Sequence, residues 1–260
     1  MSDKKQLDQG LSDAELLRYS RQIMLPDIDI EGQERLRASH VLIVGAGGLG
    51  SPAALYLAAS GVGQLTIVDH DTVDLSNLQR QIAHQDSTVG KAKVSSMAER
   101  LRATNPHITV NAIQEQADNA RLTALATRAD LVLDCTDNFE VRYAINEVCF
   151  AQGVPLVSGA GIGWEGQVSV FDPRRADSPC YRCLYPQAND AALNCAENGV
   201  IAPLVGVIGT CQAMEAIKLI TLVGEPLVGK VLYFDAKYME WRSLNLKRRD
   251  DCPVCADRPR

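Results

Sequence analysis

The stretch His40-Val41-Leu42-Ile43-Val44-Gly45-Ala46-Gly47-Gly48-Leu49-Gly50 decides the fold. Its apolar residues 41–44 predict a strand that is buried on both faces, as in a parallel sheet. The glycines that follow fit G-x-G-x-x-G, and residues 51–60 predict a helix. In such a loop one glycine permits a sharp turn, one lets the backbone approach a phosphate, and one allows the helix to pack on the strand. The helix N-terminus offers unpaired N–H groups to an anion. The stretch therefore predicts a nucleotide site rather than an ordinary tight turn.

The rest of the chain alternates strands with helices. A second predicted strand, residues 65–68, ends in Asp69, about where a carboxylate should meet a nucleotide ribose. Further strands are predicted at 110–113, 131–134 and 155–158, with helices between them. From residue 166 the pattern changes to period two, which is typical of antiparallel strands. We therefore predict an α/β fold: a doubly wound, mainly parallel, Rossmann-like sheet extended by antiparallel strands.

Composition limits the classes of partner. The chain has 260 residues, 46% of them hydrophobic, and a formal net charge of −6. An acidic chain is a poor partner for nucleic acid or for an anionic membrane surface. The sequence predicts no membrane span, which needs an apolar run of about 18 residues, and no signal peptide, which needs an apolar region after Met1. Together with eight cysteines, which without a secretory signal suggest reduced thiols, these features predict a cytoplasmic protein.

The N-terminal segment carries a helix signal and two cations. Ser12 and Glu15 are spaced as a capping box, which predicts a helix start with Leu16 and Leu17 on its buried side. Arg18 and Arg21 follow near the end of that helix. The simplest interpretation of the two arginines is a favourable interaction with the helix dipole.

Four of the cysteines form two C-x-x-C pairs, Cys180/Cys183 and Cys252/Cys255. Four thiolates are what a closed, structural, tetrahedral zinc site requires. Such a site would tie the C-terminal tail to the body of the protein. The separation of the pairs is longer than in a zinc ribbon, so two redox dithiols or buried free thiols remain alternatives.

The other cysteines lie in different surroundings. Cys135, Cys149 and Cys211 fall on apolar segments and are predicted core residues. Cys195 lies in a polar stretch, residues 187–199, and is a candidate accessible thiol or an inert surface thiol. With Glu197 the only charged neighbour close in sequence, nothing local lowers its pKa, so we predict that the thiol is mostly protonated at neutral pH.

Polar residues recur where predicted strands end. Asp69, Asp71, Asn77, Arg80, Lys93 and Asp137 all follow strands or lie on adjoining segments. Two cations with several acids suit ATP and magnesium, because cations contact phosphate oxygens and an acid holds the metal. An NAD-dependent dehydrogenase is the main alternative, although the four histidines form no recognisable proton relay. A Walker-type kinase is disfavoured because no G-x-x-x-x-G-K-[S/T] occurs.

These motifs together resemble one family. Residues 41–50, 76–80 and 134–138 and both C-x-x-C pairs are similar to the MoeB/ThiF adenylyltransferases of ubiquitin-like sulfur-carrier proteins, relatives of the ubiquitin-activating enzymes. The resemblance runs from about residue 11 to 255, with Ala46 a mild departure where the family often has leucine. It implies ATP-dependent adenylation of the C-terminal carboxylate of a carrier protein that ends in Gly-Gly.

The resemblance also implies roles for residues. Gly48 and the glycine loop would contact the nucleotide, Asp69 the ribose, and Asn77, Arg80 and Lys93 the phosphates, while Asp137 would hold magnesium. Arg21 resembles an arginine that reaches into the partner subunit's site, which implies a homodimer. The implied catalytic set is Arg80, Lys93, Asp137, Arg21 and Asn77. The implied nucleotide-binding set is Gly45, Gly47, Gly48, Asp69, Asp71, Ser76, Asn77, Leu78, Gln79, Arg80, Lys93, Asp137 and Asn138.

The resemblance leaves the carrier open. Residues 171–180 and 202–207 look more like the molybdopterin branch of the family, whereas residues 241–244 look like the thiamine branch. No rhodanese-like domain follows in this sequence, so a separate sulfurtransferase is expected to supply sulfur. A non-catalytic carrier-binding scaffold is a further alternative, which the intact Arg80, Lys93 and Asp137 disfavour. We expect one domain over 1–260: a helical arm (11–39), a nucleotide-binding part (40–160) and a carrier-binding and zinc part (161–255).

Overall fold

One sheet of eight strands runs through the computed structural model, which describes residues 10–187 and 199–258. The strand order is β3-β2-β1-β4-β5-β6-β7-β8, with the first five parallel and the last three antiparallel. The predicted mainly parallel sheet with an antiparallel extension is therefore confirmed. The strands are β1 His40–Val44, β2 Gln64–Val68, β3 Thr109–Ile113, β4 Leu131–Asp134, β5 Leu156–Ile162, β6 Glu165–Phe171, β7 Lys230–Asp235 and β8 Glu240–Asn245.

Helices cover both faces of the parallel half, as expected for a doubly wound sheet. Alternate residues of β1 show this, since Val41 and Ile43 enter one core and Leu42 and Val44 the other. The first core contains α4, α5 and α9, and the second contains α6, α7 and α8. Numbered over the described residues, the helices are α1 Asp13–Arg18, α2 Ser20–Ile23, α3 Asp29–Ala38, α4 Gly50–Ala59, α5 Lys93–Thr104, α6 Asn119–Ala126, α7 Phe139–Gln152, α8 Tyr181–Leu184 and α9 Ala202–Thr221.

The N-terminal arm confirms one prediction and corrects another. Ser12 and Glu15 form the predicted capping box at the start of α1. Leu17, expected on a buried side, is 79% exposed, because α1 is too short to form a complete apolar face. The arm is instead fastened through Tyr19, whose phenol oxygen accepts a hydrogen bond from Asn105. The pair of adjacent leucines therefore wrongly predicted that Leu17 is buried.

Helix α9 shows that the prediction of no apolar segment as long as a membrane span was wrong. By length and composition it is apolar enough to cross a membrane, with a mean hydropathy of 1.4 over its best window. However, 56% of that window is buried within this protein, against α4 and β5 among other elements. Core helices of water-soluble proteins pass the same test of composition, so the apolar character is accounted for by packing.

Candidate active site

A cavity of about 380 Å³ opens at the carboxyl ends of β1, β2 and β4. Pockets of this volume are within the range that holds small ligands. The cavity is lined by most of the residues that the sequence nominates for the nucleotide: Gly45, Gly47, Gly48, Asp69, Asp71, Arg80, Lys93, Asp137 and Asn138. The fold therefore brings these residues to one cavity at the carboxyl edge of the sheet.

The glycine loop needs glycine at its first and last positions for steric reasons. Gly45 has a φ of 101°, and a Cβ there would lie 2.6 Å from the carbonyl oxygen of Cys135. A Cβ on Gly50 would lie 2.0 Å from the carbonyl oxygen of Gly45. The turn and the close packing of helix on strand both exclude a larger side chain. The loop can therefore present its backbone to the cavity.

Two carboxylates and one ammonium group follow β2. Both oxygens of Asp69 accept backbone hydrogen bonds, from the N–H of Ala46 at 2.7 Å and from that of Asp71 at 2.8 Å. The Lys93 side chain is 8% exposed, and its Nζ lies 2.7 Å from Asp71 Oδ2. Burial alone would raise the pKa of the Asp71 carboxyl, but the hydrogen bond and charge of Lys93 outweigh burial and lower that pKa below its usual range. Asp69 therefore braces the loop, while Asp71 holds Lys93 at the cavity wall.

The segment before Arg80 forms a capped turn. Asp74 accepts hydrogen bonds from the N–H and hydroxyl of Ser76, and Asn77 Oδ1 accepts from the Asp74 N–H. Arg80 Nη1 donates to the Ser76 carbonyl oxygen at 3.1 Å. Four of the predicted nucleotide contacts directly precede Arg80 in the chain and are not among the cavity-lining residues: Ser76, Asn77, Leu78 and Gln79.

Asp137 lies on a loop that buried charges hold in place. Asp134, at the end of β4, accepts hydrogen bonds from the Thr136 N–H and hydroxyl and from the Ser158 hydroxyl. Arg142 lies 4.0 Å from the Asp134 carboxylate and donates to the Thr136 carbonyl oxygen. Asp137 is exposed, and its carboxylate accepts no hydrogen bond from any described residue. Its whole carboxylate is therefore open to a ligand, whereas those of Asp69 and Asp71 already accept hydrogen bonds from the protein.

The structure adds cavity residues that sequence reasoning missed. Gln81 and Arg142 line the wall, as do Val205 of α9 and residues 115–117 beyond β3. Residues 115–117 could have been predicted, because they follow a parallel strand and ligands bind at the carboxyl ends of such strands. No sequence signal marks Val205, whose side chain lies 2.9 Å from where a Cβ on Gly48 would be. It lies far from the glycine loop in sequence and reaches it through the packing of α9.

The four predicted metal ligands converge in the second core. Their sulfur atoms all lie within 4.8 Å of one another, with Cys180–Cys252 and Cys183–Cys255 at 3.4 Å and Cys180–Cys183 at 4.0 Å. Tetrahedral zinc with Zn–S bonds of about 2.3 Å requires sulfurs roughly 3.8 Å apart. Hydrogen bonds from the Cys180 thiol and from the Arg249 backbone N–H lower the pKa of Cys183 to about 5, against the effect of burial. The donor set and spacing therefore fit zinc.

Two other predicted site residues stand apart. Arg21 is exposed on α2, outside the cavity of its own chain, and its side chain makes no hydrogen bond or ion pair with any described residue. Its neighbour Gln22 is fixed, because its side-chain nitrogen donates to Gln33 Oε1 at 2.7 Å and to the Ser60 carbonyl oxygen at 3.0 Å. Cys195, the candidate thiol, lies outside the described residues.

Known proteins resemble this one over nearly all of its length. The ThiF family matches residues 19–254. A molybdopterin-synthase adenylyltransferase of Escherichia coli K12 is 53% identical over 245 residues, covering 94% of this chain and 98% of that protein. A sulfur carrier protein ThiS adenylyltransferase of the same organism is 46% identical over 245 residues, covering 94% and 97%. The crystal structure of E. coli MccB with MccA-N7isoASN superimposes with a TM-score of 0.81 at 25% identity, covering 92% of this chain and 74% of that one. The chain therefore belongs to the ThiF family.

Proposed function

We propose that this enzyme adenylates the C-terminal Gly-Gly carboxylate of a ubiquitin-like sulfur-carrier protein with ATP, giving an acyl-adenylate and pyrophosphate. The observation that carries the proposal is the single cavity wall formed by the glycine loop, two cations and the unpaired carboxylate of Asp137. Relatives named adenylyltransferases support the same reaction. The alternatives of a dehydrogenase and of a non-catalytic scaffold have no comparable support.

The reaction does not depend on acid–base catalysis. A terminal carboxyl has a pKa of about 3.3–3.7, so it is ionised at neutral pH and needs no general base. One carboxylate oxygen forms a bond to the α-phosphorus, and the bond to the pyrophosphate oxygen breaks, with that oxygen keeping the electron pair. Arg80 and Lys93 neutralise the charge that develops on the phosphates. Asp137 would hold magnesium, which would neutralise charge on the departing pyrophosphate.

The remaining nucleotide contacts follow from position. The backbone at Gly47 and Gly48 approaches the phosphates, and Asp69 contacts the ribose through the free lone pairs of oxygens that already brace the loop. Ser76 and Asn77 lie one turn before Arg80 and reach the nucleotide from the rim of the cavity. Leu78, Gln79 and Asn138 complete the set as backbone or rim contacts.

The carrier is proposed to be the small subunit of molybdopterin synthase, within molybdenum cofactor biosynthesis. The higher identity to the molybdopterin-synthase adenylyltransferase supports this choice. The carrier of the thiamine pathway is the second candidate, because the ThiS adenylyltransferase is also similar over nearly the whole chain. Sulfur would come from a separate sulfurtransferase, and both steps would take place in the cytoplasm. Cys195 is proposed to be dispensable for making the adenylate.

We further propose a homodimer in which Arg21 acts at the partner subunit's cavity. Arg21 lies outside the cavity of its own chain, yet Tyr19 and Gln22 on either side of it are anchored to buried groups. The same arm exposes Leu17 at 79% and Met24 at 70%, which is apolar surface that a second copy would cover. The arm (11–39), the nucleotide part (40–160) and the zinc-bearing part (161–255) would thus be three parts of one domain.

Mixing variants tests the role of Arg21 in the partner site. Arg21→Ala and Arg80→Ala are each expected to be inactive. Dimers that are formed from both contain one complete site, so a mixture should recover about a quarter of the wild-type rate after subunit exchange. No recovery would show that Arg21 acts within its own chain or not at all.

The central experiment supplies the enzyme with ATP and each purified carrier in turn. Carrier-dependent exchange of labelled pyrophosphate into ATP, together with the acyl-adenylate seen by mass spectrometry, is the expected result. Each carrier shortened by its last glycine is the control and should be inert. Exchange with neither carrier would refute the proposal, and exchange with the thiamine carrier alone would reassign the pathway. Cys195→Ala should make the adenylate at the wild-type rate.

A further inference from the structure

The peptide group of Ala46, in the middle of the glycine loop, is held from both sides. Its N–H donates to Asp69 Oδ2 at 2.7 Å, and its carbonyl oxygen lies 3.0 Å from Nε2 of His84. A carbonyl oxygen only accepts, so His84 Nε2 carries the proton in this contact. His84 is 7% exposed, and it is not one of the cavity-lining residues. It therefore acts on the loop from behind the cavity wall.

The same histidine connects the loop to helix α5. His84 Nδ1 lies 3.0 Å from the hydroxyl of Ser96, which is itself buried. Ser96 follows Lys93 by three residues, so the two side chains project from neighbouring positions of one helix face. Because Nε2 carries the proton of the neutral ring, Nδ1 is the acceptor for the Ser96 hydroxyl.

These contacts close a ring of hydrogen bonds. From α5, Lys93 donates to Asp71, the Asp71 N–H donates to Asp69, and Asp69 accepts from Ala46. The ring returns to α5 through His84 and Ser96. The glycine loop, the end of β2 and the helix that carries Lys93 are thereby linked by side chains. A network in which every polar group is satisfied fixes the relative position of the elements it joins.

We propose that His84 is a positioning residue for the adenylation reaction. It fixes the Ala46 peptide relative to α5, and so sets the distance between the backbone of Gly47 and Gly48 and the ammonium group of Lys93. The two sides of the phosphate site are then held in register before ATP binds. This inference rests on the proposed function, because it assigns the reaction's phosphate contacts to these groups.

The surroundings of His84 support a neutral, positioning role. Burial lowers the pKa of the imidazole, and the nearby Lys93 charge lowers it further, against the Ala46 hydrogen bond and the Asp69 charge, which raise it. Both ring nitrogens have a partner, so the ring has no free site from which to take a proton from substrate. The histidine therefore acts through the loop and not on the reacting atoms.

The test compares three variants by steady-state kinetics of carrier-dependent pyrophosphate exchange. His84→Leu removes both hydrogen bonds, Ser96→Ala removes only the link to α5, and His84→Gln keeps an N–H donor for the Ala46 carbonyl oxygen. Misplacement of reacting groups by about 1 Å can cost roughly 100-fold in rate. We expect kcat to fall about 10- to 100-fold in His84→Leu and less in Ser96→Ala, with KM for the carrier unchanged. His84→Gln should recover most of the rate.

Each outcome decides the inference. His107→Gln, which changes an exposed histidine outside the ring of hydrogen bonds, is the control, and its kcat should match that of wild type. If His84→Leu does not fold, reduced kcat per folded Ser96→Ala enzyme with wild-type carrier KM still supports the inference. Wild-type kcat per folded protein in His84→Leu, or in Ser96→Ala where His84→Leu does not fold, overturns it. A wild-type enzyme without carrier-dependent exchange overturns the proposed function and this inference with it.

Discussion

The nucleotide cavity and the cysteine cluster differ in how far their polar side chains are exposed and paired. At the cavity, the Asp137 carboxylate is exposed and without a partner among the described residues, and the Arg80 side chain makes one hydrogen bond among them, to a backbone carbonyl. In the cluster, all four sulfurs are buried, and the cysteines are at most 6% exposed. The cavity keeps groups free for a ligand, whereas the four sulfurs of the cluster are buried against one another. Chemistry and stability are therefore expected to fail separately.

The largest expected effect is on the chemistry. Arg80→Ala or Asp137→Ala should lower carrier-dependent pyrophosphate exchange about 1000-fold or more, because Arg80 is assigned to neutralise charge on the phosphates and Asp137 to hold the magnesium that does the same. The melting temperature should stay near that of wild type, since both side chains are at least partly exposed. Arg100→Ala, at an exposed position on α5, is the control. Near-wild-type exchange in either variant would contradict the site assignment.

The opposite result is expected at the cluster. Cys252→Ser should lose zinc and lower the free energy of unfolding by several kcal/mol, because metal binding is coupled to folding. The fraction that remains folded should still exchange pyrophosphate. Cys211→Ser, at a half-buried cysteine outside the cluster, is the matched control and should retain one zinc per chain. Protein purified without chelator that contains no metal would refute the zinc proposal.

The glycine loop is where stability and chemistry meet, and two neighbouring substitutions separate them. Gly45→Ala forces a side chain into a left-handed conformation and against Cys135, so it should cost about 1–3 kcal/mol of stability. At Gly47 the nearest atom to a Cβ, in the Gln81 side chain, is 3.6 Å away. Gly47→Ala should therefore melt like wild type and raise KM for ATP. Equal melting temperatures for the two variants would contradict this account of the loop.

The smallest effect concerns the ion pair at the cavity wall. Lys93 lowers the pKa of Asp71 in the folded protein, so the pair stabilises the fold above the ordinary carboxyl pKa of about 3.9. That contribution is lost as pH falls through the lowered value. Because the Asp71 side chain is 49% exposed, Asp71→Asn should cost no more than about 1 kcal/mol at pH 7. Urea unfolding of both proteins at pH 7 and pH 3 should show this difference shrinking at the lower pH.

Sequence reasoning succeeded where the signal is local. The apolar runs at β1, β2 and β4 and the glycines after β1 predicted the parallel sheet and the tight turn at its edge, because strand burial and turn sterics depend on adjacent residues. The convergence of the two C-x-x-C pairs was also predictable, since few arrangements satisfy four nearby thiols. The N-cap at Ser12 belongs to the same class.

What escaped prediction depends on packing between distant segments. Arg142 is buried because the Asp134 carboxylate and Thr136 carbonyl oxygen meet it at the end of β4, and Val205 reaches the glycine loop through the position of α9. Nothing in their immediate sequence marks either residue. The prediction that Leu17 is buried was wrong, because an apolar residue on a short helix need not be covered within its own chain.

The cysteine cluster also imposes an order on the making of the protein. Cys180 and Cys183 emerge from the ribosome before β7 and β8, and Cys252 and Cys255 emerge after both strands. The nascent chain must therefore carry two unpaired thiols while the sheet is still being finished. Complete coordination waits for the last strands to be synthesised. If the metal is zinc, its supply times the final step of maturation, and a zinc-starved cell would accumulate a chain with an intact nucleotide cavity and an unsecured tail.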